Sequence, residues 1–361
     1  MPTNPAITRR LFMQQSSLAG LSLAALSSIP ATALARSLSA PEKAPDEEPP
    51  MGVLGWTLLL PGIFALDKPG MGGNTLLIVA EGKALLIDTK FSYLGAALLH
   101  DVANQIQADI TKDRIDLTLI NTHHHGDHTG GNAIVLPIAG ASYAHANALP
   151  RIRAQHESYV QTAKNGPAQL ARSNASEQIQ SFARAAADAC EIWTDKTAVP
   201  KIAINGSGHT LSVGKIVVRT HHFGAGHTDN DLVIHLPEEN IVHTGDLVFN
   251  GRHPYFDPSA NATARGWINS LRETRKLCNS ETTVIPGHGK IAGPACIDAQ
   301  INYFEQLIQS VEAEINKGTA REAVGTMSWE FMKDLEAEQI RERAVIGVYD
   351  ELINEKPTEQ P

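Results

Sequence analysis

The chemistry of this chain is concentrated in one short run, Thr122-His123-His124-His125-Gly126-Asp127-His128-Thr129-Gly130-Gly131. It is an H-x-H-x-D-H cluster. Three further ligand-type residues stand alone downstream, each beside a glycine: His227 in Gly226-His227-Thr228, Asp246 in Thr244-Gly245-Asp246, and His288 in Pro286-Gly287-His288-Gly289. In an extended segment residues i and i+2 point the same way. His123 and His125 therefore converge on one point while His124 turns away. Asp127 and His128 follow a turn at Gly126 and can address a second point. Two metals in a hydrolase typically sit about 3.5–4 Å apart. Imidazole with carboxylate suits zinc, with iron or manganese as alternatives, and no thiolate biases the set toward a soft metal. A solvated His-rich tract is the bland alternative, but it does not explain strand-like runs on both sides. His100, His145, His156 and His209 carry no functional assignment, and His124, His235 and His243 read as supports behind the ligands or as structural residues.

The elements that must position these groups follow from the pattern. Strand-like runs fall at Thr57–Leu60, Asn74–Ala80 and Ala84–Asp88, with Gly82 marking a hairpin turn. An amphipathic helix is expected over Leu94–Gln107, and an apolar strand over Ile115–Asn121 delivers the cluster at its end. Residues 150–190 turn polar and Ala-rich. They read as an inserted helical segment or a lid, broken near Asn165-Gly166-Pro167. Strands resume at 210–211, 215–221, 231–236 and 240–243, followed by a helix over 264–277 and a short strand at 283–285 that ends near His288. Residues 298–355 look helical, with a break around 318–325. Two halves of this kind point to a sheet-on-sheet core with helices outside.

The segment from about Gly52 to Pro294 resembles the metallo-β-lactamase superfamily. Gly72-Gly73-Asn74-Thr75 and Leu86-Ile87-Asp88-Thr89 are similar to the opening hairpin of that family. The resemblance implies an α/β, four-layer αββα sandwich over 53–295, with a helical insert at 150–190 and a C-terminal helical extension over 296–361. It implies that His123, His125 and His227 hold one metal, that Asp127, His128 and His288 hold the other, and that Asp246 bridges the two. Asp88 resembles the family's buried structural carboxylate. Two dications sharing a carboxylate acidify a water between them, for attack on an acyl carbon or on phosphorus. Asp127 is the residue expected to orient that nucleophile. Asp229 or Asp231 is expected to steady a ligand imidazole through its other nitrogen.

Substrate contacts are expected from Asn250, Arg252, His253 and Tyr255, which directly follow the bridging position. Lactamases with a cysteine ligand carry Cys where this chain has Asp246, and usually Lys where it has Phe249. The aspartate resembles glyoxalase II and the lactonases, yet the C-terminal helices show no basic cluster to hold glutathione. The leading expectation is a two-zinc hydrolase acting on an ester, lactone, thioester or amide carbonyl of a small molecule. The alternatives are a mononuclear-iron persulfide dioxygenase using His123, His227 and Asp246, a weak β-lactamase, and a non-catalytic metal-binding protein.

Composition bounds the partners. The 361 residues carry a formal net charge of −9 and 42% hydrophobic residues, which argues against nucleic acid and is ample for a core. Three cysteines cannot form a fully paired framework. Cys190, Cys278 and Cys296 read as buried thiols, with a Cys278–Cys296 pair as the alternative. The N-terminus reads as a targeting segment. Thr8-Arg9-Arg10-Leu11-Phe12 is a twin-arginine pattern, a short apolar stretch follows, and Ala33-Leu34-Ala35 is a cleavage signal ahead of Arg36. Loss of residues 1–35 removes Arg9 and Arg10 and moves the net charge from −9 to −11. Residues 36–52 then form a linker, and the mature chain is expected in the periplasm with no stable membrane insertion. Replacing Arg9 and Arg10 together by lysine should leave an uncleaved, folded precursor in the cytoplasm. Fractionation and blotting check this, and normal export of the double variant would refute the twin-arginine assignment.

Overall fold

The computed structural model describes residues 52–106 and 116–355. The twin-arginine segment, the cleavage signal and nearly all of the 36–52 linker lie outside them. Among the described residues, no helix is long and apolar enough to cross a membrane.

The first sheet has seven strands in sequential order: β1 (Thr57–Leu60), β2 (Ile63–Leu66), β3 (Thr75–Ala80), β4 (Lys83–Ile87), β5 (Leu117–Ile120), β6 (Ala141–His145) and β7 (Ile202–Ile204). Strands β1 to β4 pair antiparallel, and β4 to β7 pair parallel. The β3–β4 hairpin closes through Glu81 and Gly82, both at positive φ, as a two-residue turn of right-handed twist requires. The second sheet runs β12 (Thr283–His288), β11 (Ile241–Phe249), β10 (Val233–Leu236), β9 (Ile216–His221) and β8 (Gly208–Val213). Only β11 and β12 pair parallel in it.

Side-chain alternation builds the layers. On β3 and β4, Leu76, Ile78, Leu85 and Ile87 face the second sheet and meet Val218, Ile234 and Ile285. Their neighbours Leu77, Ala84 and Leu86 face the other way, onto helices. These strands are apolar on both faces because both faces are covered. Outside the first sheet lie α1 (Gly95–Gln105) and two short helices, α2 (Gly126–Thr129) and α3 (Asn132–Val135). Three more follow in the 150–190 region: α4 (Ala148–Ala154), α5 (His156–Arg172) and α6 (Glu177–Ala189). Outside the second sheet lie α7 (Ala264–Lys276), α8 (Ala295–Asn316), α9 (Arg321–Gly325) and α10 (Arg341–Glu355). The result is an αββα metallo-β-lactamase-type sandwich.

Several local expectations are corrected. The break at Asn165-Gly166-Pro167 does not occur: α5 runs through Pro167 to Arg172. Gly166 lies against Tyr93, where a Cβ would come within 2.1 Å of the tyrosine's own, so the glycine lets the helix seat closely there. The real break is at 173–176, where Asn174 takes positive φ and the Ser176 hydroxyl caps α6 by accepting from the Ile179 amide. Tyr159, Ala163, Leu170, Phe182 and Ala186 build α5 and α6 into the first outer core. The C-terminal break is wider than 318–325, because only short helical turns lie between α8 and α10. Strands β2, β6 and β7 have three to five residues and no clear alternation, so the sequence pattern misses them. Cys278 and Cys296 are free, as is Cys190. The Cys278 thiol turns to the Thr274 carbonyl, and burial pushes the Cys296 thiol up to about 12.

Candidate metal centre

The ligand-type residues meet at one end of the sandwich, where strands from both sheets terminate. Strand β5 ends at Ile120, and the next turn is fixed by a buried carboxylate. Asp88, at positive φ just after β4, accepts from the Thr122 amide (2.8 Å), the Thr122 hydroxyl (2.6 Å) and His128 Nδ1 (2.7 Å). The chain then bends through His123 to His125 and enters α2, whose first turn presents Asp127 and His128. The predicted convergence of His123 and His125 holds, although the segment is a bend and not a strand.

Three imidazole nitrogens meet. His125 Nδ1 lies 3.1 Å from His123 Nε2 and 2.9 Å from His227 Nε2. A tetrahedral zinc with bonds of about 2.0–2.1 Å sets its ligand nitrogens about 3.3 Å apart. One ring nitrogen cannot donate to two others at once, so at least one pair of lone pairs faces across this gap. A cation resolves that conflict. Burial first, and then the neighbouring imidazoles, push His227 down to about 3 and His123 well below its usual value. These rings are neutral at physiological pH, the state a metal needs.

The second set lies alongside. Asp127 Oδ2 is 3.2 Å from His288 Nε2 and 3.8 Å from His128 Nε2. Asp246 stands between the sets. Its Oδ1 is 3.0 Å from His128 Nε2, and its Oδ2 is 3.3 Å from His288, 3.6 Å from His227 and 3.8 Å from His123. His128 Nε2 and Asp246 Oδ1 are buried without a properly directed hydrogen bond. Orphaned buried atoms of this kind are costly unless an ion satisfies them. Burial alone would lower His288, but Asp246 and Asp127 outweigh it and raise the ring to about 9. His128 is raised well above its ordinary value against the same burial, by Asp246, Asp127 and Asp88.

Two glycines make this approach possible. Gly245, at φ +52, sits where β11 slips register against β12, in a backbone conformation that L side chains rarely adopt. Asp246 follows it directly into the gap between the sets. At Gly73 a Cβ would lie 2.0 Å from the His128 ring, so only glycine lets that loop cover the imidazole.

The supporting residues differ in part from the expectation. Asp229 binds Arg151 at 2.7 Å, and Asp231 accepts from the Thr228 amide and hydroxyl. Neither steadies a ligand-type imidazole. Asp257 does so, accepting from His125 Nε2 at 3.0 Å and leaving Nδ1 to face His123 and His227. No spacing rule points from residue 257 back to residue 125. Asn74 donates to the Pro286 and Gly289 carbonyls and pins the loop around His288. Lys90 is a second unforeseen residue. Its buried ammonium donates to the Leu66 and Gly73 carbonyls and holds the loop over His128. Burial pushes that ammonium down to about 7.

Of the four expected substrate contacts, Tyr255 and Arg252 line a pocket of about 490 Å³ that opens onto His125, Asp127, Asp246 and His288. Tyr255 sets its ring edge-on to His125 at 5.5 Å. Asn250 lines a neighbouring pocket of about 580 Å³ with more charged residues in its wall, and its amide is tied to the Lys290 carbonyl. His253 is a correction. It is fully buried behind the site, with Nδ1 3.3 Å from the Tyr303 hydroxyl and Nε2 3.2 Å from Glu338.

A family model described as the metallo-beta-lactamase superfamily matches residues 69–288. The chain belongs to that superfamily. It is an enzyme of this metal-dependent hydrolase group. A type 2 metallo-beta-lactamase of Bacteroides fragilis is 21% identical over 238 residues, covering 66% of this chain and 77% of the relative. One from Bacillus cereus is 31% identical over 81 residues, 22% of this chain and 32% of that protein. Among solved structures, the stereoselective inverting sec-alkylsulfatase Pisa1 from Pseudomonas sp. is similar in fold. Its TM-score is 0.59 at 15% identity, covering 85% of this chain and 52% of that one.

Two outcomes follow from this geometry. Asp257→Asn removes the acceptor that orients His125, so metal affinity at the His123–His125–His227 set should fall about 10–100-fold. Competition against a chromophoric chelator measures it, and unchanged affinity would remove Asp257 from the site's support. The second outcome concerns pH. His288, raised above 6.5, contributes stability to the metal-free fold that is present below that pH and lost as pH climbs through about 9. A cation at the second set must displace that proton. Affinity there should therefore rise from pH 6 to pH 9, while the first set, in which His123 and His227 are already lowered, changes far less. Titrations at three pH values separate the two.

Proposed function

We propose that this protein is a two-metal hydrolase, with zinc the metal best suited to its donors, that cleaves an ester, lactone, thioester or amide bond in a small molecule. The observation that carries the reading is the position of Asp246, one carboxylate within 3.0–3.8 Å of four imidazoles from both sets. His123, His125 and His227 would hold one ion. Asp127, His128 and His288 would hold the other, and Asp246 would be shared. Bound dications supply Lewis acidity and acidify a water held between them.

The remaining work falls to side chains. Asp127 is partly exposed at the pocket floor, where its carboxylate, kept ionised against its burial by His128 and His288, can orient the nucleophile. Asp88 and Asp257 keep His128 and His125 in the correct tautomers. Phe249 is buried and stacks on His288 at 5.0 Å. It fills the place where a lactam carboxylate would need a cation, which favours neutral acyl substrates over lactams. The three-imidazole geometry and the complete second set favour hydrolysis over single-iron oxidation. We also propose that the protein acts after twin-arginine export.

The purified protein should carry close to two zinc ions, and His123→Ala and His288→Ala should each lose one. Asp127→Asn keeps the shape but not the charge. At saturating zinc it should lower turnover by about 10²–10³-fold, or roughly 3–4 kcal/mol of barrier. Near wild-type turnover of that variant would falsify the role of Asp127. One iron per chain with oxygen uptake and no hydrolysis would overturn the hydrolase reading.

A further inference from the structure

Residues 333–340 cross from the second outer core to the mouth of the metal centre, and they are fastened there. The His253 amide donates to the Glu336 carbonyl (2.9 Å), and the Glu336 amide donates to the Gly251 carbonyl (3.0 Å). The buried His253 ring sits 3.2 Å from the Glu338 carboxylate, which also accepts from Arg341 at 2.7 Å. Ala337, at φ +64, turns the chain so that Gln339 and Ile340 line the 490 Å³ pocket. Tyr159 and Thr162 of α5 line it too, with Phe91, Phe249 and Tyr255. Setting aside the four ligand-type residues, the only charged side chain lining it among the described residues is Arg252, which lies 3.9 Å from Glu336. The neighbouring 580 Å³ pocket shares Phe91, Asp127, Arg252 and His288 with it, but is lined by Lys68, Lys290 and Asn250.

We propose that the enzyme selects substrates with an uncharged, apolar acyl chain, that this chain lies in the pocket closed by Ile340, and that the polar leaving group departs through the neighbouring pocket. The word acyl rests on the hydrolase reading above. The chamber that opens onto both ligand sets is the one with a single charged side chain besides the ligand-type residues, and Phe91, Phe249, Tyr255 and Ile340 wall it, so the group attached to the reacting carbon lies there. A negative charge in that chamber finds one cation, Arg252, which already lies 3.9 Å from Glu336, so it would lose water for little gain. Each methylene buried there strengthens binding about fourfold. Ile340 is therefore a specificity-determining residue supplied by the C-terminal segment.

Hexanoate, acetate and adipate are stand-ins for the acyl product, and calorimetry on the metal-loaded protein reads their binding without turnover. Hexanoate should bind at least tenfold more tightly than acetate, and at least tenfold more tightly than adipate, which has the same length and a second charge. Ile340→Trp should cost hexanoate at least tenfold and leave acetate within twofold. Ile340→Arg should move the preference at least tenfold toward adipate, which keeps the test decisive if the tryptophan variant folds poorly. Equal affinity for hexanoate and adipate, or equal losses for hexanoate and acetate in Ile340→Trp, would overturn the assignment. Ethyl hexanoate separates the two readings. Discrimination among the acids with no ester turnover strikes the hydrolase reading alone, and turnover without discrimination strikes the pocket assignment alone.

Discussion

The buried carboxylate of Asp88 is the constraint on which the site depends. It has no exposure, and three donors converge on it: the Thr122 amide, the Thr122 hydroxyl and His128 Nδ1. A buried carboxylate without such partners is costly enough to unfold a domain of ordinary stability. The groups that satisfy it are the first residue of the histidine turn and one of its imidazoles. The requirement that stabilises the end of β4 therefore also fixes how the chain leaves β5. Asp88 holds the ring of His128 with Nε2 facing Asp246, as Asp257 holds His125 with Nδ1 facing its partners.

The rest of the architecture brings two independently built edges to that point. One sheet supplies Asp88 and the turn from His123 to His128. The other supplies Asp246 from the bulge in β11 and His288 from the end of β12, with His227 in the loop before β10. Asn74 stitches the two edges, since its amide and backbone reach the Pro286, Gly287 and Gly289 carbonyls. The strands that carry the site, β4, β5, β11 and β12, are largely buried on both faces, so neither edge can shift without disturbing close-packed side chains. Two carboxylates and five imidazoles crowded into one space perturb and desolvate one another, and the lowered and raised pKa values register that stress. Such stress is retained where it serves chemistry.

Substrate selection lies in other parts of the chain. The pocket walls come from α5 on one side and the 333–340 segment on the other. Both belong to stretches that are helical additions in sequence terms, yet each is rooted in a core, through Tyr159 and Leu170 on one side and Met332 and Val345 on the other. Phe249, packed among His227, His288 and Trp267, gives the floor its apolar character.

By itself the sequence determined the ligand types and the fold class, because both rest on local rules. Strand period, the glycines beside each ligand and the order of the motifs are properties of short segments. They suffice to place β3, β4, β5 and α7 within a few residues, and to single out all seven ligand-type positions that meet in space. What it left open depends on partners far away in the chain. Asp257 supports His125 across 132 positions, Asn74 reaches residues more than 200 positions on, and His253 turns to Tyr303 and Glu338 instead of the pocket. Asp229 and Asp231 are nearer to His227 in sequence, but their hydrogen bonds are taken by Arg151 and Thr228. Only the tertiary structure decides such pairings, because a buried polar group takes whichever partner the packed layers bring within about 3 Å, whatever its distance along the chain.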